Sequence, residues 1–517
     1  MLSRLRTFSL LGIDAVPVEV ETDLAQDDSL TGNRPVVVGL PDTTVRESVY
    51  RIHRAIGNSG FFFPESSVIF NLAPADLPKD AAAFDLPMAL GVLIASGQLH
   101  PDTEIAQSLA VVGELALDGS TRSVRGVLPI AMAAMANGIR TLFVPEANVG
   151  EAAVVEELQV IAISSLTQAV QILSGTLPFE PIAPPETPQN SECSAGNDDD
   201  YTDVRGQEMA KRALVVAAAG GHNVLMVGPP GAGKTMLAKR LSSILPPLTL
   251  DESLETTRVY SVLGLLSSGV ARITNRPFRA PHHTISDAGL IGGGSIPRPG
   301  EISLASHGVL FLDELPEFHR RTLEVLRQPL EERSVTISRA AGTMRFPAEI
   351  MLVAAMNPCP CGYRNDIRRE CHCSAAQIER YMGRLSGPLI DRIDIQIEVP
   401  AVAYRELQQG PVGLSSKQMR EQVEAARRIQ QERFAGSRVV CNARMSSRML
   451  RKYCELSDEC SQILELAMSE LTLSARAHDR ILRMARTIAD LAGCPAITPP
   501  HLLEATQYRS LDRLLRT

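Results

Sequence analysis

At 517 residues the chain has room for two or three domains and enough core to need no covalent staples. Charged residues are 21% and hydrophobics 44%, which fits a globular protein and excludes disordered or collagen-like classes. The net charge of −8 divides unevenly: residues 1–190 carry 10 Lys+Arg against 22 Asp+Glu, whereas residues 201–517 carry 41 against 33. A net of −12 therefore precedes a net of +8, and the basic part suits a polyanion partner, although solvated surfaces alone can produce such a split. No apolar run approaches the roughly 20 residues of a membrane span, and Met1–Phe8 lacks the apolar core and cleavage site of a secretory signal, so a cytoplasmic protein with no membrane partner is expected.

The acidic first part, residues 1–175, alternates strand and helix patterns and predicts an α/β domain with its own core. Early strands are expected over 16–21 and 34–40, a helix over Thr43–Gly57, a strand over 67–72, and a helix opened by Phe84-Asp85 and running through Ser96. Segments 113–117 and 141–144 bracket a helix over Val127–Asn137. Pro78-Lys-Asp80, Gly113-Glu-Leu115 and Gly138–Glu146 resemble the proteolytic domain of Lon-type proteases. That likeness implies a Ser–Lys dyad, but Ala83 stands where the serine would be and Leu128 where the lysine would be. Alanine has no nucleophilic atom and leucine cannot shuttle a proton, so the fold is expected without its chemistry. Ser96 and Ser120 are the substitutes to consider.

Residues 176–200 hold five prolines among polar residues and read as an extended linker. A helix is then expected from the Tyr201–Gln207 segment to Ala219. The apolar run Asn223–Val227 leads into Gly228, Pro229, Pro230, Gly231, Ala232, Gly233, Lys234 and Thr235, followed by an amphipathic stretch to Leu245. Strand, glycine-rich turn and helix are the context a phosphate-binding loop requires. Backbone N–H groups curl round the phosphates, Lys234 reaches the β- and γ-phosphates of ATP, and Thr235 offers a hydroxyl to Mg²⁺.

A second buried strand, Gly308–Leu312, ends in Asp313 and Glu314, placed for Mg²⁺ and for polarising the attacking water respectively. A third, Glu349–Met356, ends in Asn357, whose amide can orient the same water. Beyond it Cys359, Cys361, Cys371 and Cys373 form two close pairs that suit a tetrahedral structural Zn²⁺ site, with His372 able to replace one thiolate. The other five cysteines are scattered. Phe278–Gly300 is a glycine-rich insert bearing Arg279, His282, His283 and Arg298, and 336–346 reads as a hairpin with Gly342 at its turn and Arg339 and Arg345 on its arms. The insert resembles one that related ring motors place in the pore and the hairpin one that ring helicases use on DNA, which implies Arg279, His282, His283, Arg339 and Arg345 as candidate DNA contacts. The C-terminal part predicts helices over Ser416–Phe434, Asp458–Glu470, Ser474–Leu491 and Pro499–Tyr508.

Asp203–Gln207, the phosphate loop, Asp313-Glu314 and Asn357 together resemble an AAA+ ATPase. Arg279–Gly294, Pro299–Ala305, Leu312–Phe318, Asn357–Gly362 and Ser386–Asp394 narrow the likeness to the YifB/ComM, magnesium-chelatase-like family, over essentially the whole chain. The resemblance implies a Lon-like domain over 1–175, the 176–200 linker, a parallel-sheet AAA+ core over 201–400 and a helical lid over 401–517. It also implies that Arg392 reaches a neighbouring subunit's nucleotide, with Arg384 as fallback and an ion pair to Asp391 or Asp394 as the plain alternative. Arg476 matches the lid arginine that meets nucleotide in cis, with Arg480 its rival. The expected protein is a homo-hexameric motor using ATP and Mg²⁺ to translocate or unwind single-stranded or branched DNA, as in recombination or natural transformation. A magnesium-chelatase motor subunit and an ATP-dependent unfoldase or protease are the alternatives.

Overall fold

The computed structural model describes residues 2–25, 35–77, 79, 82–102, 105, 108–183, 200–267, 270–294, 296–339, 342–364, 366, 369–402, 413–471 and 473–512. Most of the proline-rich linker lies outside these residues, as do Pro78, Asp80 and the tip of the 336–346 hairpin.

The acidic part is built on a seven-stranded sheet in the order Val36–Val38, Ser67–Ala73, Asp14–Ala25, Ser3–Leu11, Leu109–Val111, Thr141–Pro145 and Gln159–Ile163. Asp14–Ala25 runs antiparallel to both its neighbours, and the other pairings are parallel. Ser3–Leu11 is a strand the residue pattern did not announce. Its inward positions begin with Ser3, Leu5 and Thr7, so the polar–apolar alternation that marks a half-buried strand is blurred. Helices Thr43–Asn58, Asp85–Ala95 and Leu166–Leu173 pack on one face with Phe70, Leu86 and Ile161, and Val127–Ala136 covers the other with Leu142 and Val144.

The second sheet is entirely parallel, in the order Phe278–Arg279, Val309–Leu312, Met351–Met356, Val224–Val227 and Ile395–Glu398. All six residues of Met351–Met356 are buried, as a central parallel strand covered on both faces demands. The strand order reverses direction beside Val224–Val227, so the crevice at its carboxyl end is where a doubly wound sheet binds ligand.

The C-terminal helices lie where the pattern places them, at Ser416–Arg433, Asp458–Glu470, Ala475–Leu491 and Pro499–Gln507, with Ser447–Tyr453 in addition. They share one continuous core with the sheet: Met419, Ile481 and Leu502 pack in the same cluster as Val224, Met226 and Ile395. The expected helix from Tyr201 is corrected. Tyr201–Asp203 is a single 3-10 turn, Gln207 adopts φ +61°, and the helix runs Glu208–Gly220. Tyr201 is held instead by burial and by donating its hydroxyl to the Leu237 carbonyl at 2.8 Å.

Helix Leu250–Leu263 joins the two sheets' territories. It packs against Val127–Ala136, its Ser261 carbonyl accepts from Gly126 N at 3.1 Å, and the Ser261 hydroxyl donates to buried Glu151. Arg258 pairs with Asp14, and Ile13 joins the cluster of Met344 and Phe346. The first hairpin's turn is thus seated on the base of the arginine-bearing hairpin.

A candidate nucleotide site at the strand ends

Strand Val224–Val227 delivers the chain into the glycine-rich loop, and helix Lys234–Ile244 leaves it. Gly231 and Gly233 take φ of +77° and +89°, conformations an L side chain would strain, and these curl the loop round the helix N-terminus. Lys234 donates to the carbonyls of Gly228 at 2.6 Å and Pro229 at 2.9 Å and to Asn357 Oδ1 at 3.1 Å. Its ammonium spans the mouth of the loop where a phosphate chain would lie. Burial pushes the Lys234 pKa down, and the carboxylates of Asp313 and Glu314 pull the other way.

Thr235 Oγ1 donates to Asp313 Oδ2 at 2.7 Å. The pair suits Mg²⁺: the Thr235 hydroxyl would meet the ion and Asp313 beside it would hold it through water. Asp313 Oδ1 also accepts from Glu314 N at 2.9 Å, which fixes the carboxylate. Glu314 itself has φ +51° and is exposed at the strand's end. The structure therefore brings Lys234, Thr235, Asp313, Glu314 and Asn357 together from three strands, as the spacing predicts.

Two residues beyond those anticipated touch this site. Gln207, in its left-handed conformation, donates to the Ala232 carbonyl of the loop at 3.3 Å and to the Pro400 carbonyl at 2.6 Å. The Asp203–Gln207 string was the only signal for it. His283 Nδ1 lies 3.5 Å from Glu314 Oε2, so this histidine faces the carboxylate rather than solvent alone.

The other candidates are distributed more widely. Arg392 is mostly buried: it donates to the Pro388 carbonyl at 2.5 Å and pairs with Glu331, not with Asp391 or Asp394. Arg384 is half-exposed and pairs with Glu317 at 2.8 Å. Arg480 is committed to buried Asp394 at 2.7 Å, whereas Arg476 is exposed in the first turn of its helix.

The insert and the hairpin lie against each other: a Cβ on Gly292 would stand 3.0 Å from Ile337 Cδ1. Ser334–Arg339 pairs with Gly342–Pro347, so Gly342 opens the second arm. Arg345, opposite Thr336, is on the exposed face, whereas Arg339, opposite Gly342, is in register with the packed Ile337–Met344 pair and turns toward the insert. His282, Arg298, Arg339 and Arg345 are exposed. Arg279, partly exposed, forks onto Glu301 at 2.6 and 2.7 Å.

The four cysteines 359, 361, 371 and 373 converge, with their sulfurs all within 4.8 Å of one another, and His372 stands outside the group, exposed. In the acidic domain Ala83 and Leu128 are both buried. Ser96 donates to the Leu93 carbonyl at 3.2 Å and Ser120 to Asp118 at 2.6 Å, each closing a local turn.

The parallel sheet, the glycine-rich loop at its reversal point and the Asp313–Glu314 pair are those of an AAA+ protein, and sequence comparison agrees. The family described as magnesium chelatase, subunit ChlI, matches residues 200–407, its further ChlI description matches 20–148, and the ChlI C-terminal description matches 413–509. Competence protein ComM of Haemophilus influenzae is 45% identical over 511 residues, covering 98% of this chain and 97% of its own. The uncharacterized protein YifB of Escherichia coli is 42% identical over 516 residues, covering 99% and 98%. The chain belongs to the ComM/YifB family of magnesium-chelatase-like AAA+ proteins. Shorter likenesses join it to Lon protease 2 of Bacillus subtilis, 32% identical over 27% of this chain and 26% of that protein, and to the DNA replication licensing factor mcm7 of Schizosaccharomyces pombe, 26% identical over 30% and 20%. No helix among the described residues is long and apolar enough to cross a membrane.

Proposed function

We propose that the protein is a ring-forming, homo-hexameric ATP hydrolase of the cytoplasm that moves along or unwinds single-stranded or branched DNA. The observation that carries this reading is covalent order. The hairpin bearing exposed Arg345 is inserted between the strand that ends in Asp313-Glu314 and the strand that ends in Asn357. Whatever the hairpin grips is thereby linked at both ends to the groups that would handle water and Mg²⁺. Arginine neutralises phosphates without reading bases, as a translocating motor needs. The likeness to a DNA replication licensing factor supports the same direction.

In this reading Lys234 and the loop amides hold the β- and γ-phosphates and Thr235 and Asp313 hold Mg²⁺, which would screen the phosphate charge. Glu314 polarises the attacking water, Asn357 aligns it, Arg476 meets the phosphates in cis, and Arg392 swings from Glu331 into the neighbouring subunit's site. The acidic domain, with Ala83 and Leu128 in place of a dyad, serves as a docked accessory and not as a peptidase.

The test is the ATPase rate with and without single-stranded and forked DNA, for wild type, Lys234→Ala and Arg392→Ala. DNA stimulation that disappears in both variants is expected. Hydrolysis that no DNA stimulates would overturn the DNA reading. The family description of residues 200–407 keeps one rival in play, a motor subunit driving Mg²⁺ into a porphyrin; stimulation by porphyrin instead of DNA would select it.

A further inference from the structure

We infer that Cys359, Cys361, Cys371 and Cys373 form a tetrathiolate zinc centre that sets the position of Asn357 against the phosphate loop. The inference rests on the ATPase reading above for its second half only.

The geometry of the sulfurs comes first. Cys359 Sγ lies 3.3 Å from Cys361 Sγ and 3.7 Å from Cys371 Sγ, and Cys361 and Cys371 are 3.6 Å apart. With Zn–S bonds of about 2.3 Å, the edges of a ZnS₄ tetrahedron are about 3.8 Å. A disulfide would need about 2.05 Å, and all four thiols are free. One ligand pair precedes the loop and the other follows it, so a cation at the centre would close a segment with no regular secondary structure among its described residues. Arg369, inside that segment, crosses back to Tyr363, donating to its hydroxyl at 2.8 Å and lying 5.0 Å over its ring. Directly after Cys373, Ser374 caps helix Ala375–Met382.

The placement of the cluster gives the second half. Cys359 is buried two residues after Asn357, and Gly362, with φ +85°, lies so close to the phosphate loop that a Cβ there would stand 2.6 Å from Pro230 Cδ and 3.8 Å from Asn357 Cγ. Tyr381, on the helix that the second pair introduces, stands beside the Asn357 backbone. Asn357 is thus framed by the two ends of the cysteine loop, and Pro230 packs on the loop's turn. A metal that clamps the two ends fixes the amide that already touches Lys234. Asn357 acts on water in this scheme, and the zinc centre is a positioning device.

The experiment uses the full chain. Zinc per chain is counted by elemental analysis in wild type and in Lys234→Ala, where the count does not depend on hydrolysis, and Co²⁺ is loaded in its place. One zinc per chain in both proteins, thiolate-to-cobalt charge-transfer absorption, and loss of both in Cys361→Ser and Cys371→Ser are expected. Zinc is then stripped from wild type with a chelator while circular dichroism checks that the fold persists. A fall in kcat of about tenfold or more, with ATP affinity little changed and kcat recovered on adding Zn²⁺, is expected. No bound metal, or metal retained by both serine variants, would overturn the site. Metal removal that leaves kcat untouched would overturn the positioning role. A chain that holds zinc but hydrolyses no ATP supports the site and overturns the motor reading separately.

Discussion

His283 Nδ1 stands 3.5 Å from Glu314 Oε2, and the same ring lies 4.1 Å, centroid to centroid, from His282 and edge-on to Phe318 at 6.3 Å. The carboxylate proposed to polarise water is therefore turned toward the insert that carries the DNA-contact candidates. If DNA binding moves the insert, His283 would move with it and free Glu314. A part-exposed pair of this kind is worth at most about 1 kcal/mol, which caps the effect at about fivefold in rate. His283→Ala is expected to raise ATPase without DNA by up to about that factor and to shrink the stimulation by DNA. Glu314→Gln is expected to abolish turnover while nucleotide binding, followed by a fluorescent ATP analogue, persists. An unaltered basal rate in His283→Ala would count against the link.

Arg392 offers a test of shared active sites. Within the chain it is tied to Glu331 and Pro388, so a role in trans requires that it leave them. Arg392→Ala and Lys234→Ala chains, each inactive alone, are expected to regain part of the ATPase activity when mixed, because mixed rings contain interfaces with an intact loop facing an intact arginine. No recovery at any mixing ratio would assign Arg392 to holding the helix Arg327–Glu332 in place.

Asp394 anchors the C-terminal helices to the sheet: Arg480 Nη1 is 2.7 Å from Oδ1, and Asn223 N donates to Oδ2 at 3.1 Å. Burial works against the charge, yet Arg480, His222 and Asn223 outweigh it and hold the carboxyl well below the usual carboxylate range. A depressed folded pKa contributes stability that is complete above the unfolded value of about 3.9 and is lost as pH falls through the folded one. Asp394→Asn is expected to cost about 3 kcal/mol at pH 7, with the gap to wild type closing below about pH 4. Urea melts at pH 7 and at acid pH check this; an equal gap at both would show that packing, not charge, carries the contact.

Arg345 and Arg279 separate the exposed arginine proposed to contact DNA from the one forked onto Glu301. Arg345→Ala is expected to weaken DNA binding uniformly across sequences and to lower the salt slope by about 1, with thermal stability within about 0.5 kcal/mol. Arg279→Ala strips Glu301 of a two-pronged partner and is expected to lower stability first. Fluorescence anisotropy across a salt series, beside thermal melts, distinguishes them. Equal losses of stability would remove the distinction.

Gly228 limits the loop from behind. A Cβ there would stand 2.1 Å from the Val399 carbonyl oxygen, a backbone atom that cannot move aside cheaply. Gly228→Ala is expected to destabilise the chain by at least about 2 kcal/mol, read as a lower midpoint in urea. A variant as stable as wild type would mean that the strand Ile395–Glu398 yields.

Local chemistry determined much of this protein by itself. Strand, glycine loop and helix at 224–244, the acidic pair at 313–314, Asn357 and the four-cysteine spacing were legible because each depends on residue types at fixed short intervals, and buried parallel strands announce themselves as apolar runs. The long C-terminal helices were legible for a similar reason, their 3.6-residue periodicity. What only the tertiary structure decided were partnerships between distant segments. Arg392 with Glu331, Arg279 with Glu301, Arg480 with Asp394, His283 with Glu314 and Gly362 against Pro230 depend on where strands and inserts meet, and no sequence period encodes that. The hidden first strand has the same cause. Its inward Ser3 finds a partner only in the assembled sheet and helix, where it donates to the Gly91 carbonyl at 2.9 Å, so its burial is a property of the fold and not of its own residues.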